Sequence, residues 1–136
     1  MAGGRGKRAW FVCVVCGVKR YGWHHQRYCG KKCRSKSQGK TTAYDGLSCG
    51  TVGAIQELRV GADLLIKGFE VFRALSPSCS CDLLVLKEKK LQRIEVRTAY
   101  EYRSTKRIYA SGGNRTCADV MAYALPDRIE YDPKLA

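Results

Sequence analysis

Four of the eight cysteines in this chain fall into two tight pairs, Cys13-Val-Val-Cys16 and Cys29-Gly-Lys-Lys-Cys33, joined by a connection of 12 residues. Zinc takes four thiolate or imidazole ligands in a tetrahedron, and two knuckles that each offer a close pair of sulfurs meet that need with little chain. Gly17 follows the first pair and Gly30 lies inside the second, where the backbone is expected to turn sharply and aim N–H groups at sulfur. Trp10, Phe11, Val12 and Tyr28 are too few to build a core there, so metal ligation would supply most of the folding free energy. Cys13, Cys16, Cys29 and Cys33 thus read as a closed, structural zinc site. His24 and His25 lie between the pairs and could replace a cysteine as ligand, but because four sulfurs already suffice they are expected to stay exposed, close to phosphate. Cys49, Cys79, Cys81 and Cys117 are scattered and are expected to be buried thiols rather than a second metal site. In a reducing compartment this cysteine usage argues for metal over disulfides.

A second kind of chemistry is carried by carboxylates. Asp82 precedes an apolar run, and Glu95 sits in the alternating stretch Leu91–Thr98, where Ile94, Val96 and Thr98 share one face and Arg93, Glu95 and Arg97 the other. If Leu86 pairs with Leu91 across the charged turn Glu88-Lys89-Lys90, Asp82 comes to lie opposite Glu95. Two carboxylates facing each other across an antiparallel pair repel. A divalent cation removes that penalty, and Mg²⁺ is commonly held by one or two carboxylates with water and a substrate phosphate; the Val96 carbonyl is a further candidate ligand. A slip of one residue in register would turn Glu95 away.

The elements that must position these groups follow from periodicity. From Thr51 to Lys67, Ala54, Ile55, Leu58, Ala62, Leu65 and Ile66 recur at helical spacing, with Thr51 as N-cap and Gly68 as the stop. Strands are expected over Phe69–Arg73, Asp82–Lys87, Leu91–Thr98 and Arg107–Ala110, a turn at Gly112-Gly113-Asn114, a further element over Ala118–Leu125 and a short strand near Arg128–Tyr131; Leu75–Ser80 reads as a loop. A helix followed by a run of strands predicts an α/β (α+β-like) fold with a mixed sheet. The segment Arg34–Lys40 reads as a flexible or lightly helical linker, dividing a basic zinc-binding module with its linker (residues 1–45) from the sheet domain (residues 46–136).

Charge is distributed as unevenly as the cysteines. Residues 1–45 contain 11 lysines and arginines and a single acid, net +10, whereas residues 46–136 contain 14 and 11, net +3. Such a field attracts a phosphate backbone and releases its counterions. Arg20, Lys31, Lys32, Arg34 and Lys36 in the first part are candidate nucleic-acid contacts, as are Arg103, Lys106 and Arg107 in the second. These last three interleave with Tyr100, Tyr102 and Tyr109, a pattern suited to phosphate and sugar edges or to a solvated strand face. No run approaches the roughly 18 apolar residues of a membrane span, and no apolar stretch of signal-peptide length follows the basic N-terminus, so an intracellular, cytoplasmic protein without membrane contact is expected.

Two resemblances add to this reading. Tyr28-Cys29-Gly-Lys-Lys-Cys33-Arg34 resembles the closing segment of zinc fingers that often accompany phage and mobile-element nucleases. Over residues 51–133, the succession Gly53-Ala-Ile-Gln-Glu57, Gly68-Phe-Glu-Val71, Asp82-Leu-Leu-Val85 and Ile94-Glu-Val-Arg-Thr98 resembles the PD-(D/E)XK nuclease superfamily, in its group I intron-associated (homing) endonuclease branch. The tail from Cys117 through Asp119 to Leu125 is similar to that family's aspartate followed by an apolar strand. The resemblance implies a mixed sheet flanked by helices, Mg²⁺- or Mn²⁺-dependent hydrolysis of DNA, and a catalytic set of Glu57, Asp82, Glu95 and, at the lysine position, Arg97. Asp82, Glu95 and the Val96 carbonyl would hold the cation, with Glu57 orienting water. Cys81 stands where the motif's name has proline. Arg97 replaces lysine and, always protonated, can neutralise a phosphate but cannot accept a proton. Pairing of Arg97 with Glu95 or Glu57 in place of a metal is the competing arrangement. The expected protein is a DNA endonuclease, nucleoid-associated or phage-encoded, acting as a homodimer or higher symmetric oligomer because cutting two strands asks for two sites. A non-catalytic DNA-binding protein on the same fold is the alternative, and an RNA-binding zinc protein a more distant one.

Overall fold

A computed structural model describes residues 6–40, 43–110, 112 and 117–136. The first region opens with a hairpin of β1 (Arg8–Val12) and β2 (Lys19–Trp23), followed by α1 (Lys31–Ser37). The second comprises α2 (Cys49–Ile66), β3 (Glu70–Arg73), β4 (Leu83–Lys87), β5 (Lys90–Glu101), β6 (Ile108–Ala110), β7 (Val120–Ala124) and β8 (Ile129–Asp132). The segment expected to be a linker is therefore largely helix: α1 places Cys33 on its first turn and carries the basic run with it. The turn expected at Gly112-Gly113-Asn114 falls mostly outside the described residues.

Helix α2 starts one turn earlier than its apolar periodicity suggests. Ser48, not Thr51, is the cap: its Oγ accepts the Thr51 N–H at 3.1 Å, satisfying one of the donors a helix start leaves open. Gly68 follows the last turn, and Phe69 is already buried before β3 begins. The sheet order is β3-β4-β5-β7-β8, with β6 pairing the far end of β5; β5 and β7 are parallel and every other pair is antiparallel. This is the mixed sheet of an α/β (α+β-like) fold.

Val60 and Leu64 of α2 pack on Leu83, Val85, Ile94, Val120, Ala122 and Ala124 of the sheet. The parallel β5–β7 pair forms its centre, where strands read as apolar on the helix side. Asp63, for which the sequence suggests no role, ties this helix to the sheet edge. It takes Lys67 at 2.6 and 2.7 Å and the Tyr131 hydroxyl at 2.5 Å. Burial followed by the Asp63 bond drives the Tyr131 hydroxyl well above the usual phenol range.

The cysteine region meets the sheet region through a short seam. Gln38 Nε2 donates to the Tyr102 hydroxyl at 3.0 Å, and the Lys40 ammonium lies 4.3 Å from the Tyr100 ring centroid. Gly39 (φ 79) passes so close to β5 that a Cβ would sit 2.2 Å from the Glu101 carbonyl oxygen, so a side chain is excluded by both backbone conformation and space.

Candidate functional sites

The first site is sulfur. Cys13 lies after β1, Cys16 in the turn that follows it, Cys29 before α1 and Cys33 within α1. Their four Sγ atoms all lie within 4.8 Å of one another, with Cys16–Cys29 and Cys29–Cys33 at 3.5 Å. A tetrahedron of Zn–S bonds near 2.3 Å sets sulfurs about 3.8 Å apart, so the cluster suits a soft tetrahedral cation such as zinc. Gly17 takes φ 72, as the knuckle requires, whereas Gly30 is extended (φ 179) and serves as the N-cap of α1 rather than as a tight turn. The backbone N–H of Cys16 leads the effects that lower the Cys13 thiol to about 6, and the bond to Cys29 leads those that raise Cys33 to about 12. Four thiols packed this closely cannot all ionise without a counter-charge. His24 and His25 stay outside the cluster; His24 Nδ1 faces the Lys7 carbonyl at 3.3 Å.

The remaining cysteines correct an expectation. Cys49, Cys79 and Cys117 are exposed and Cys81 is half-buried, so they are not core thiols. Cys49 opens α2 and the other three stand outside the helices and strands, where no apolar layer covers them. Burial raises the Cys81 thiol above its ordinary value, which leaves it a poor nucleophile. Among the described residues these four form no second metal cluster.

The second site lies at the start of β4 and the middle of β5. These strands turn through Glu88 (φ 49) and Lys89 (φ 65), two left-handed residues matching the twist of a two-residue hairpin. Leu86 then pairs with Leu91 and Leu83 with Ile94, the register that the turn and apolar pattern predict. Beyond the ladder, Asp82 donates its N–H to the Ile94 carbonyl at 3.1 Å, and its Oδ2 accepts the Val96 N–H at 2.8 Å. Asp82 thus stands abreast of Glu95. The N–H and C=O of a strand residue leave the chain on the same side, so the Val96 carbonyl is directed to the edge just before β4 begins.

Glu95 points away from the α2 side, since its neighbours Ile94 and Val96 pack with the core, yet it is only 2% exposed. Its Oε1 lies 3.1 Å from a guanidinium nitrogen of Arg97, which is itself largely buried. Gly112 (φ 95) leaves room for that guanidinium: a Cβ there would be 1.9 Å from Arg97 Nη1. Glu57, on α2, is engaged by Arg73 through Nε at 3.0 Å and Nη2 at 2.9 Å. Glu57, Arg73, Cys81 and Asp82 line a cleft of about 320 Å³.

Glu57 and Asp82 therefore share a cleft, and Asp82 and Glu95 share a strand boundary. Among the described residues, however, the cysteine tetrad is the only set of three or more possible metal ligands whose atoms converge. Asp82 and Glu95 are hard oxygen donors of the number Mg²⁺ or Mn²⁺ takes from protein, and in type they fit such an ion. The competing cations are Arg97 on Glu95 and Arg73 on Glu57. The sequence reading missed Arg73; its only signal is its place at the end of β3, where it meets Glu57 in the middle of α2. Asp119 turns out to be structural. Arg93 donates to it through Nε and Nη2 at 3.1 and 2.9 Å and through its backbone N–H at 2.8 Å, which holds the carboxyl down at about 2.

The third feature is the basic surface around α1. Arg27, Lys31 and Arg34 line a cleft of about 550 Å³ with Trp23 and His25, while Arg34, Lys36 and Arg103 line another of about 690 Å³ between the two regions. Among the described residues, Arg20, Lys31, Lys32, Arg34, Lys36, Arg103, Lys106 and Arg107 take part in no ion pair. Arg20 lies across β1–β2 from Phe11, on the opposite face of the hairpin from Trp10.

No family model and no curated protein matches the chain. Among solved structures, a bacterial homing endonuclease, I-Ssp6803I, is similar with a TM-score of 0.47 and 18% identity. The match covers 59% of this chain and 64% of that one, so the chain spans less than two thirds of its neighbour. Among the described residues no helix is long and apolar enough to cross a membrane.

Proposed function

We propose that this chain is a metal-dependent DNA endonuclease of the PD-(D/E)XK type, with a zinc-holding cysteine module that strengthens its grip on DNA. The observation that carries the reading is Asp82, which is fixed by the Val96 N–H abreast of the buried Glu95 and lines a cleft with Glu57. A carboxylate withdrawn from water next to a second one is costly unless cationic charge accompanies them. Asp82, Glu95 and the Val96 carbonyl would hold Mg²⁺ or Mn²⁺, which would add to the charge that Arg97 already brings to Glu95 and would serve to polarise a phosphodiester and acidify water. Glu57 accepts a hydrogen bond from the attacking water and orients it, and Arg97 stabilises the charge building on phosphorus by donating to a phosphate oxygen. Arg20, Lys31, Lys32, Arg34 and Lys36 hold the strand from one side and Arg103, Lys106 and Arg107 from the other. Two chains acting as a symmetric pair would cut both strands.

The test is incubation of the zinc-loaded chain with supercoiled plasmid and Mg²⁺ or Mn²⁺. Nicking is expected, and Asp82→Ala and Glu95→Ala should each abolish it while retaining plasmid binding in a gel shift. Cleavage that survives both substitutions rejects the site. A second reading, a DNA-binding protein without hydrolysis, is favoured by the 3.1 Å contact of Arg97 with Glu95, in which the guanidinium supplies the cation. That reading holds if plasmid is bound but never nicked with either metal.

A further inference from the structure

The β1–β2 hairpin carries its large aromatic side chains on the wrong face for packing. Cross-strand partners in an antiparallel pair share a face, and the pairs Arg8–Trp23, Trp10–Tyr21 and Val12–Lys19 alternate with Ala9–Gly22 and Phe11–Arg20. Trp10, Tyr21 and Trp23 therefore stand together on one side. They are 65%, 57% and 41% exposed, whereas Phe11, on the other side, is half-buried. Scattered exposed apolar residues are ordinary; three contiguous large rings on a hairpin of two five-residue strands are not.

The rings are arranged with cations. Trp10 and Tyr21 meet edge to face at 5.6 Å between centroids, the Lys19 ammonium lies 5.6 Å from the Trp10 ring centre, and the Arg8 guanidinium lies 5.2 Å from that of Trp23. Trp23 also borders the cleft lined by Arg27, Lys31 and Arg34. The platform thus runs directly into a cationic track, and Asp45 is the single acid in the first 45 residues. A polyanion is the complementary partner, and flat apolar rings offer its bases a stacking surface that a duplex, with its bases paired inside, cannot use.

We propose that this face binds an unpaired stretch of DNA strand, its bases stacking on Trp10, Tyr21 and Trp23 and its phosphates running along Arg27, Lys31 and Arg34. The inference rests on the DNA-binding half of the function proposed above. It directs the chain to DNA with single-stranded, bubbled or frayed segments rather than to a uniform duplex. An acidic protein partner would find the same charge but would have no particular use for three flat rings.

Trp10 and Trp23 are the only two tryptophans in the chain, so tryptophan emission, excited at the red edge where the eight tyrosines do not absorb, reports on this surface alone. The zinc-loaded full chain is titrated with a thymidine decanucleotide, with an abasic decamer of the same backbone charge, and with a blunt duplex. Strong quenching is expected with the thymidine strand and little with the abasic one. Trp10→Ala and Tyr21→Ala should each weaken the thymidine strand by on the order of tenfold while leaving the duplex and zinc content unchanged, and Trp10→Phe should restore most of the loss. Equal quenching by thymidine and abasic strands, or thymidine affinity indifferent to both alanine variants, overturns the proposal. Plasmid nicking lost in Asp82→Ala is read independently, so the hydrolytic reading and this one can fail separately.

Discussion

The two halves of this chain differ in what lies at their centres. Among the described residues up to Lys40, Cys13 alone is buried, and the hairpin and α1 converge on four sulfurs. Beyond it, α2 and the sheet bury a continuous apolar layer that includes Val60, Leu64, Val85, Ile94 and Val120 at no more than 1% exposure. The first region turns Trp10, Tyr21 and Trp23 and most of its basic side chains outward. The second has a core that holds two carboxylates at a strand boundary. A cluster of sulfurs leaves the side chains around it outward, whereas a buried apolar layer fixes the strands that carry Asp82 and Glu95.

Removing metal should break this comparison most visibly. Chelation, or Cys16→Ser, is expected to unfold residues 6–40 almost completely, since ligation contributes about 10 kcal/mol or more in zinc-finger peptides. Limited proteolysis should then cut within the hairpin and α1, while the sheet region keeps its own cooperative unfolding transition. A hairpin still resistant to protease after the metal is gone would show that packing, not sulfur, holds it. The reverse experiment is Ile94→Ala, which opens a cavity under α2. It should cost about 2–5 kcal/mol in denaturant unfolding of the sheet region and leave zinc content unchanged.

How much of this was legible in the sequence differs between the halves for the same physical reason. The cysteine spacing named all four sulfurs of the cluster, because short-range ligand pairs are written locally. The β4–β5 register was also legible: the apolar alternation and the charged turn place Leu86 against Leu91, and Asp82 beside Glu95 follows. Helix α1 was legible only as the lightly helical option for Arg34–Lys40, because a seven-residue basic helix has no apolar stripe to announce it. The cap at Ser48 was hidden by Cys49 and Gly50, which carry no helical pattern. Exposure of Cys49, Cys79 and Cys117, and the partners of Arg73 and Asp63, depend on neighbours 4 to 68 residues away or on what covers a loop, which composition does not encode.

Arg97 sharpens the comparison from the side of the sheet region. Its guanidinium and Glu95 form an ion pair that is largely withdrawn from water, with side-chain exposures of 15% and 3%. Truncating one partner of such a pair leaves the other charge behind in a poor solvent. Arg97→Ala is therefore expected to destabilise the sheet region by about 3 kcal/mol. If Asp82 and Glu95 hold a divalent cation, millimolar Mg²⁺ should return part of that loss in thermal unfolding, and Asp82→Ala should remove the return. A variant equally unstable with and without Mg²⁺ points to the guanidinium as the resident cation.

The smallest effect expected is the acid dependence of the Arg93–Asp119 pair, which joins β5 to the start of β7. The Asp119 carboxyl is held down to about 2, first by the Arg93 side chain and then by its backbone N–H. A depressed carboxyl contributes stability that is fully present above its unfolded value, near 3.9, and is lost as pH falls through the folded one. Between about pH 4 and pH 2 the wild-type sheet region should thus lose stability that Asp119→Asn has already lost, and the two unfolding curves should converge. Both side chains are more than 40% exposed, so solvent and salt screen the pair and the difference should shrink as ionic strength rises. The cysteine region has no acid before Asp45 to pair in this way, so chelated and metal-loaded protein should show the same Asp119-dependent step. A step that vanishes with the metal would mean that the two regions do not stand on separate foundations.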